Sequence, residues 1–227
     1  MAENSWDFYK ANSSDAGQGV QGTHSSLSSP LNSATGSVYY RDFSSNSGVI
    51  KAVLTGSNFQ GLDGSKAILM RAYVRMESEE VHKHFVFLAK TNNSNPSSTN
   101  SSYASSTVGY KVGIGDSSFS TNTIKGIYSL STTNISLFSN DLFSASSWHL
   151  IRADIIPVYS GASITSDQIK LFKSTDNGST WTQIGSTQTV AIGAANAWGH
   201  STNKYYGFQT WGCYVDNFEV YLSTPYT

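Results

Sequence analysis

Carboxylates crowd most densely in the run MESEEVH, residues 76–82. Glu77 and Glu79 are two apart, so on a strand they share a face and could act as nucleophile and general acid of a hydrolase. Position 81 is Val, however, and Glu80 points to the other face, so the third carboxylate of such a row is missing. A solvated strand end is the reading that these residues favour. The overlapping EVHKH puts Glu80, His82 and His84 on one face, a carboxylate and two imidazoles that could hold a transition metal. Histidines at the edge of a core are the alternative, and no metal site is assigned. Arginines stand at 41, 71, 75 and 152, and Arg71 and Arg75 share a strand face. Cys213 is the lone cysteine, with no setting in sequence that would favour a thiolate. No G-x-S-x-G is present, and no glycine-rich loop precedes a helix. No catalytic residue is therefore assigned, and the chain is expected not to be an enzyme.

Binding chemistry is better represented. The stretch NAWGHSTNKYYGFQTWG (196–212) mixes aromatic rings, which stack on the C–H faces of sugars, with amides and imidazole, which read hydroxyls. Its candidate glycan-binding set is Trp198, His200, Asn203, Tyr205 and Trp211. The alternative is that Tyr206, Phe208 and Trp211 are core. The octet STDNGSTW (174–181) has the form S-x-D-x-G-x-T-W of the Asp-box, which recurs around sialidase propellers. One copy occurs, and 227 residues are few for six four-stranded blades, so repetition gives no support for a propeller. Between two strands the octet reads as a structural turn. Asp176 bonds backbone amides, Gly178 supplies positive φ and Trp181 covers the hairpin.

These residues are positioned by strands. KAILMRAYVRM places Ile68, Met70, Ala72, Val74 and Met76 on one face. VGYKVGIG places Val108, Tyr110, Val112 and Ile114 together, and WHLIRADIIPV sets Ile151, Ala153 and Ile155 against Arg152 and Asp154. With SVYYRDF, GVIKAVLTG, KHFVFLAKT, IKGIYSLS, DQIKLFKST, WTQIGSTQTV, KYYGFQTWG and CYVDNFEVYLS, about eleven or twelve strands alternate with polar turns, the pattern of a sandwich. The helix candidate is a turn around Asp141 to Ser147. In the last strand the apolar step changes from two to three between Val215 and Phe218, which requires a bulge at Asp216-Asn217.

Charge is sparse and balanced, 14 basic against 15 acidic residues, which gives no electrostatic case for nucleic acid or an anionic membrane. Residues 1–36 lack periodicity and form an N-terminal arm ahead of a domain at 37–227. Their spaced apolar residues, Trp6, Phe8, Tyr9, Val20 and Leu27, could lie in a neighbour's groove or pack on the chain's own domain. The start MAENSWDFYK lacks the apolar stretch of a signal peptide, from which synthesis in a host cytoplasm is expected. Asn92 and Asn100 sit in sequon-like tripeptides that read as polar loop.

Three segments carry a family resemblance: SSWHLIRADI (146–155), IKLFKSTDNGSTWTQIG (169–185) and YGFQTWGCYVDNFEVYL (206–222). They resemble the concanavalin A-like lectin/glucanase superfamily, particularly its laminin-G-like members, over residues 37 to 223. The resemblance implies an all-β, antiparallel two-sheet jelly-roll sandwich with first and last strands adjacent. Glucanases of this fold carry E-x-D-x-E or a bulged variant, which MESEEVH does not match. Calcium sites of the family use Asp, Asn and backbone carbonyls, so Asp216-Asn217 or Asp176 could ligate Ca2+; no other cofactor is implied. The single sandwich with a Ser/Asn-rich arm also resembles bacteriophage virion proteins. That likeness implies a non-catalytic capsid decoration or tail-associated component, located in the virion, which docks through arm and loops to a major capsid or tail protein and could form homo-oligomers. A lectin-like module recognising a host surface glycan is the alternative.

Overall fold

The structure is a computed structural model and describes residues 6–10, 50–53, 65–76, 84–91, 110–115, 124–129, 135–144, 146–191, 205–211 and 213–223. Among them there is no helix; twelve strands form two antiparallel sheets of six. In chain order the strands are β1 (Trp6–Lys10), β2 (Ile50–Val53), β3 (Ile68–Met76), β4 (His84–Thr91), β5 (Tyr110–Gly115) and β6 (Ile124–Ser129). Then come β7 (Ile135–Phe143), β8 (Trp148–Ser160), β9 (Ser163–Ser174), β10 (Thr182–Ala191), β11 (Tyr205–Trp211) and β12 (Cys213–Ser223). The first sheet runs β1-β12-β3-β8-β9-β10 and the second β2-β11-β4-β5-β6-β7. The chain is thus an all-β antiparallel sandwich, as its alternating strands require. Among the described residues no helix is long and apolar enough to cross a membrane.

Alternation decides which side of each strand is buried. Ile68, Met70, Ala72, Val74 and Met76 of β3 join Ile151, Ala153 and Ile155 of β8 and Ile169 and Leu171 of β9 on the inner face of the first sheet. Opposite them lie Phe85 and Phe87 of β4, Tyr110, Val112 and Ile114 of β5, and Tyr206 and Phe208 of β11. Phe208 bridges Phe85 and Phe218, with ring centroids 5.9 and 5.5 Å apart. Cys213 is buried and forms no disulfide. Each Val, Leu, Ile, Met or Phe side chain so removed from water contributes on the order of 1.5–3 kcal/mol.

Of the register shifts in this frame, those in β12 and β4 change which side chains face the core. In β12, Asn217 and Phe218 together oppose Ala72 of β3, and Asn217 has φ 51°. The bulge lets Val215, Phe218, Val220 and Leu222 all face the core. It lies at the position where the apolar step changes. In β4, Ala89 and Lys90 together oppose Tyr206 of β11, and Lys90 has φ 52°. Strict alternation from Ala89 would send Lys90 away from the core. The bulge turns it inward, where it meets Asp167 of β9.

One difference from the sequence reading concerns β7, while at β1 the arm takes one of its two expected placements, against the chain's own domain. Asp141 to Phe143, expected to begin a helical turn, continue β7 as a strand paired with β6, while residues 146–147 form a turn. Trp6, Phe8 and Tyr9, placed in an arm, lie in β1, whose backbone pairs with β12 from Trp6↔Ser223 to Lys10↔Glu219. Val20, Leu27 and the SVYYRDF run lie outside the described residues.

Gly113 of β5 sits at a tight backbone approach in the second sheet. A Cβ there would stand 2.1 Å from the Phe85 carbonyl oxygen and 2.8 Å from Val86 Cα, both rigid strand backbone. Gly113→Ala should therefore lower the unfolding free energy by about 1–3 kcal/mol or more, read as a lower urea midpoint with unchanged slope; an unchanged midpoint would contradict this packing.

Candidate functional site

The outer face of the first sheet gathers the described residues best suited to recognition. Strand register lays them out in rows. Glu219, Arg71, Arg152 and Phe172 sit side by side across β12, β3, β8 and β9. The next row is Asp216, Tyr73, Leu150 and Ser174, and beyond it come Tyr214, Arg75 and Trp148. On the other side, Tyr221 and Asp154 flank Leu69.

Arg71 and Arg152 face each other directly, a like-charge pair that on its own would destabilise the sheet. Each has its own counter-charge. Arg71 Nε donates to Glu219 Oε2, and its guanidinium lies 5.3 Å from the Tyr221 ring centroid. Tyr221 in turn donates its hydroxyl to Glu219 Oε2 at 3.0 Å. Arg152 Nη2 donates to Asp154 Oδ2 at 3.0 Å, with Nε 2.9 Å from Oδ1. Its guanidinium also sits 4.2 Å from the Phe172 ring and 4.7 Å from that of Trp181. Such cation–π contacts contribute about 0.5–2 kcal/mol each. Burial raises Asp154 above the usual carboxylate range, against the pull of Arg152. Burial, followed by the Glu219 charge, pushes the Tyr221 phenol up to about 12, so it stays a donor.

The octet at 174–181 folds over this face. The Ser174 hydroxyl donates to Asp176 Oδ1 at 2.7 Å and accepts from Gly178 N at 2.8 Å. Asp176 accepts Thr180 N on Oδ1 at 2.8 Å and Thr180 Oγ1 on Oδ2 at 2.6 Å, and its carbonyl accepts Ser179 N. Asn177 and Gly178 both hold positive φ, 56° and 89°, as this tight reversal requires. Gly178 then approaches Leu150, Trp181 and Arg71, and Tyr73 donates its hydroxyl to Asn177 Oδ1 at 3.4 Å. The hairpin thereby sets Trp181 against Arg152 and Asn177 beside Tyr73. Trp148, Phe172, Trp181, Tyr221, Arg71 and Arg75 remain half-exposed around it.

Of the sequence-nominated glycan residues, two are described, and they lie in the other sheet. Tyr205 and Trp211 lie in β11, paired to β4 in the second sheet. Trp198, His200 and Asn203 lie outside the described residues, as do Glu77, Glu79, Glu80 and His82. His84 of β4 is buried. Among the described residues no group of three or more His, Cys, Asp or Glu could hold a metal ion, and Asp176 is committed to its turn. Sequence reasoning noticed Arg71 and Arg75 on one face, and Trp181 and Trp148 in motifs. It missed that strand order brings them to a single surface with Tyr221 and Arg152.

No family model matches the chain, and no curated protein matches it. Among solved structures, the exoplasmic/lumenal domain of VIP36 in its Ca2+/Man3GlcNAc-bound form is similar with a TM-score of 0.44 and 8% identity, covering 98% of this chain and 86% of that one. Lectin II from Ulex europaeus gives a TM-score of 0.39 at 14% identity, covering 97% and 92%. A xylan β-1,4-xylosidase from Bacillus halodurans C-125 gives 0.47 at 8% identity, covering 83% of this chain and 33% of that one. The chain thus spans about a third of the xylosidase. At these scores the likenesses carry no argument about activity.

The Asp176 turn has a pH signature. Hydrogen bonds from the Thr180 side chain and amide, then from Ser174, hold its carboxyl down to about 2 from an ordinary 3.8. A carboxylate depressed in the folded state contributes stability that is full above its ordinary pKa and lost as pH falls through the folded value. The stability difference between the wild type and Asp176→Asn should therefore be constant above pH 4 and shrink between about pH 4 and 2. Urea midpoints measured at each pH check this; a difference independent of pH across that window would contradict it.

Proposed function

We propose that the chain is a non-catalytic carbohydrate-binding module that holds its saccharide on the outer face of the first sheet. One observation carries the reading: half-exposed rings of Trp181, Phe172 and Tyr221 lie against the guanidiniums of Arg71 and Arg152, with Trp148 beside Arg75 on the same face. Aromatic faces remove sugar C–H groups from water, and planar guanidinium and amide groups offer fixed donors to hydroxyls. The exposed amide of Asn177, carried on the octet turn, adds a group able both to donate and to accept. Because these groups stand on strands and a cross-bonded turn, little ordering is needed when ligand arrives.

Three carboxylates of this surface are held by neighbours, which supports recognition rather than bond cleavage; a fourth, Asp216, stands in the row of Tyr73. Glu219 is bound to Arg71 and Tyr221, Asp154 to Arg152, and Asp176 to Thr180 and Ser174. A hydrolase of this kind needs two carboxylic groups facing one scissile bond, one protonated and one free to attack. Carboxylates engaged by arginine are poor candidates for either role. Docking to virion subunits has no observation behind it, and Trp6–Lys10, the described part of the arm, are paired in the chain's own sheet.

Trp148→Ala and Trp181→Ala should each weaken saccharide binding about tenfold, on the order of 1.4 kcal/mol, while leaving the urea midpoint much less affected. Glycan-array screening followed by calorimetry on the best saccharide checks this. Binding that survives both substitutions, or an array with no signal, would contradict the reading.

A further inference from the structure

The interior holds a group that the outer-face reading does not use. Lys90 of β4 and Asp167 of β9 are both fully buried, with the lysine Nζ 2.9 Å from Oδ1 and 3.1 Å from Oδ2. Tyr110 of β5, also buried, donates its hydroxyl to Asp167 Oδ2 at 2.6 Å. Asp167 belongs to the inward row of β9 with Ile169 and Leu171, and Tyr110 to that of β5 with Val112 and Ile114. The amine, the carboxyl and a hydroxyl donor thus meet between the two sheets, amid apolar side chains. The bulge at Lys90 delivers the amine to this point.

We propose that Lys90 and Asp167 condense into an intramolecular amide that ties β4 of one sheet to β9 of the other. One proton passes from Nζ to a carboxylate oxygen along a hydrogen bond that already exists. The amine lone pair then attacks Cγ, forming the C–N bond. Tyr110 donates a hydrogen bond to the oxygen that gains negative charge. Burial, then the adjacent Asp167, raises the Tyr110 phenol far above its ordinary value, so its proton stays in place for this task. Collapse breaks one C–O bond, and that oxygen leaves as water with the transferred proton and one further proton from nitrogen. Ammonium and carboxylate become a secondary amide and one water, with net charge zero on both sides and no oxidant, reductant or co-reactant.

Three physical factors favour the step. Nζ is in hydrogen-bond contact with both oxygens of the carbon it attacks, so the encounter entropy is already met by folding. The product carries no charge, which removes the desolvation penalty of a buried ion pair. The amide carbonyl keeps the Tyr110 hydroxyl as donor, and reversal would require water to re-enter an apolar interior. The residues joined are 77 apart in sequence, so the link would close a long loop. With one cysteine in the chain, no internal disulfide can serve that purpose.

Intact mass spectrometry of the folded full-length chain, denatured just before injection, tests the proposal. The expected mass is one water below that of the sequence, and digestion should yield a branched peptide joining residues 90 and 167. Lys90→Met should show the full sequence mass, and Tyr110→Phe should cross-link at least tenfold more slowly. A folded wild type at full sequence mass would overturn the proposal, whether or not Lys90→Met folds. So would a water loss that digestion assigns elsewhere, such as a succinimide at Asp63-Gly64.

Discussion

The pairing of Lys90 with Asp167 inside the sandwich is the constraint around which the rest of the structure is arranged. A buried ion pair broken on one side costs about 3–5 kcal/mol, because the remaining charge is left in an apolar medium. That penalty couples three strands from two sheets: β4 must bulge at Lys90, β9 must present Asp167 inward, and β5 must place Tyr110 beside it. A one-residue slip of β9 would send Asp167 to the outer face and strand the lysine. The same slip would turn Ile169 and Leu171 outward and carry Phe172 inward, which would dissolve the outer surface as well. Fixing the interior register therefore fixes the outer face as well.

That face shows how a sheet can hold two neighbouring arginines. Each guanidinium is neutralised locally, Arg71 by Glu219 and Arg152 by Asp154, and each lies over or beside an aromatic ring. The octet hairpin completes the surface. Its serine, aspartate and threonine bond one another, its glycine comes close to Arg71 and Leu150, and its tryptophan covers Arg152. A sequence pattern known from propellers here closes a hairpin on a sandwich; the pattern encodes a turn rather than an architecture.

Much of this was legible because strands announce their buried side by alternation. The core rows of β3, β5 and β8 follow from period two, and the β12 bulge follows from one change of step between Val215 and Phe218. What alternation cannot show is pairing at a distance. KHFVFLAKT reads as sending Lys90 out, and only the non-local register with β11 turns it in. The sequence ISLFSNDLF carries Ser, Asn and Asp, residues that favour turns and helix starts, yet forms β7 because β6 lies alongside. The rings and guanidiniums of the candidate site come from four strands and one turn. Their types were visible in the chain, but their common surface depends on the order β12-β3-β8-β9.

Carbohydrate recognition without cleavage, on the outer face of the first sheet, is tested most directly by nuclear magnetic resonance titration of the labelled chain with the saccharide that binds it. Both the protein amides and the sugar's anomeric signals can be followed in one sample. The account predicts perturbed amides clustered around Arg71, Tyr73, Arg75, Trp148, Asn177, Trp181 and Tyr221, with anomeric signals that stay constant over days. Perturbations confined to the second sheet, or new reducing ends appearing with time, would contradict it.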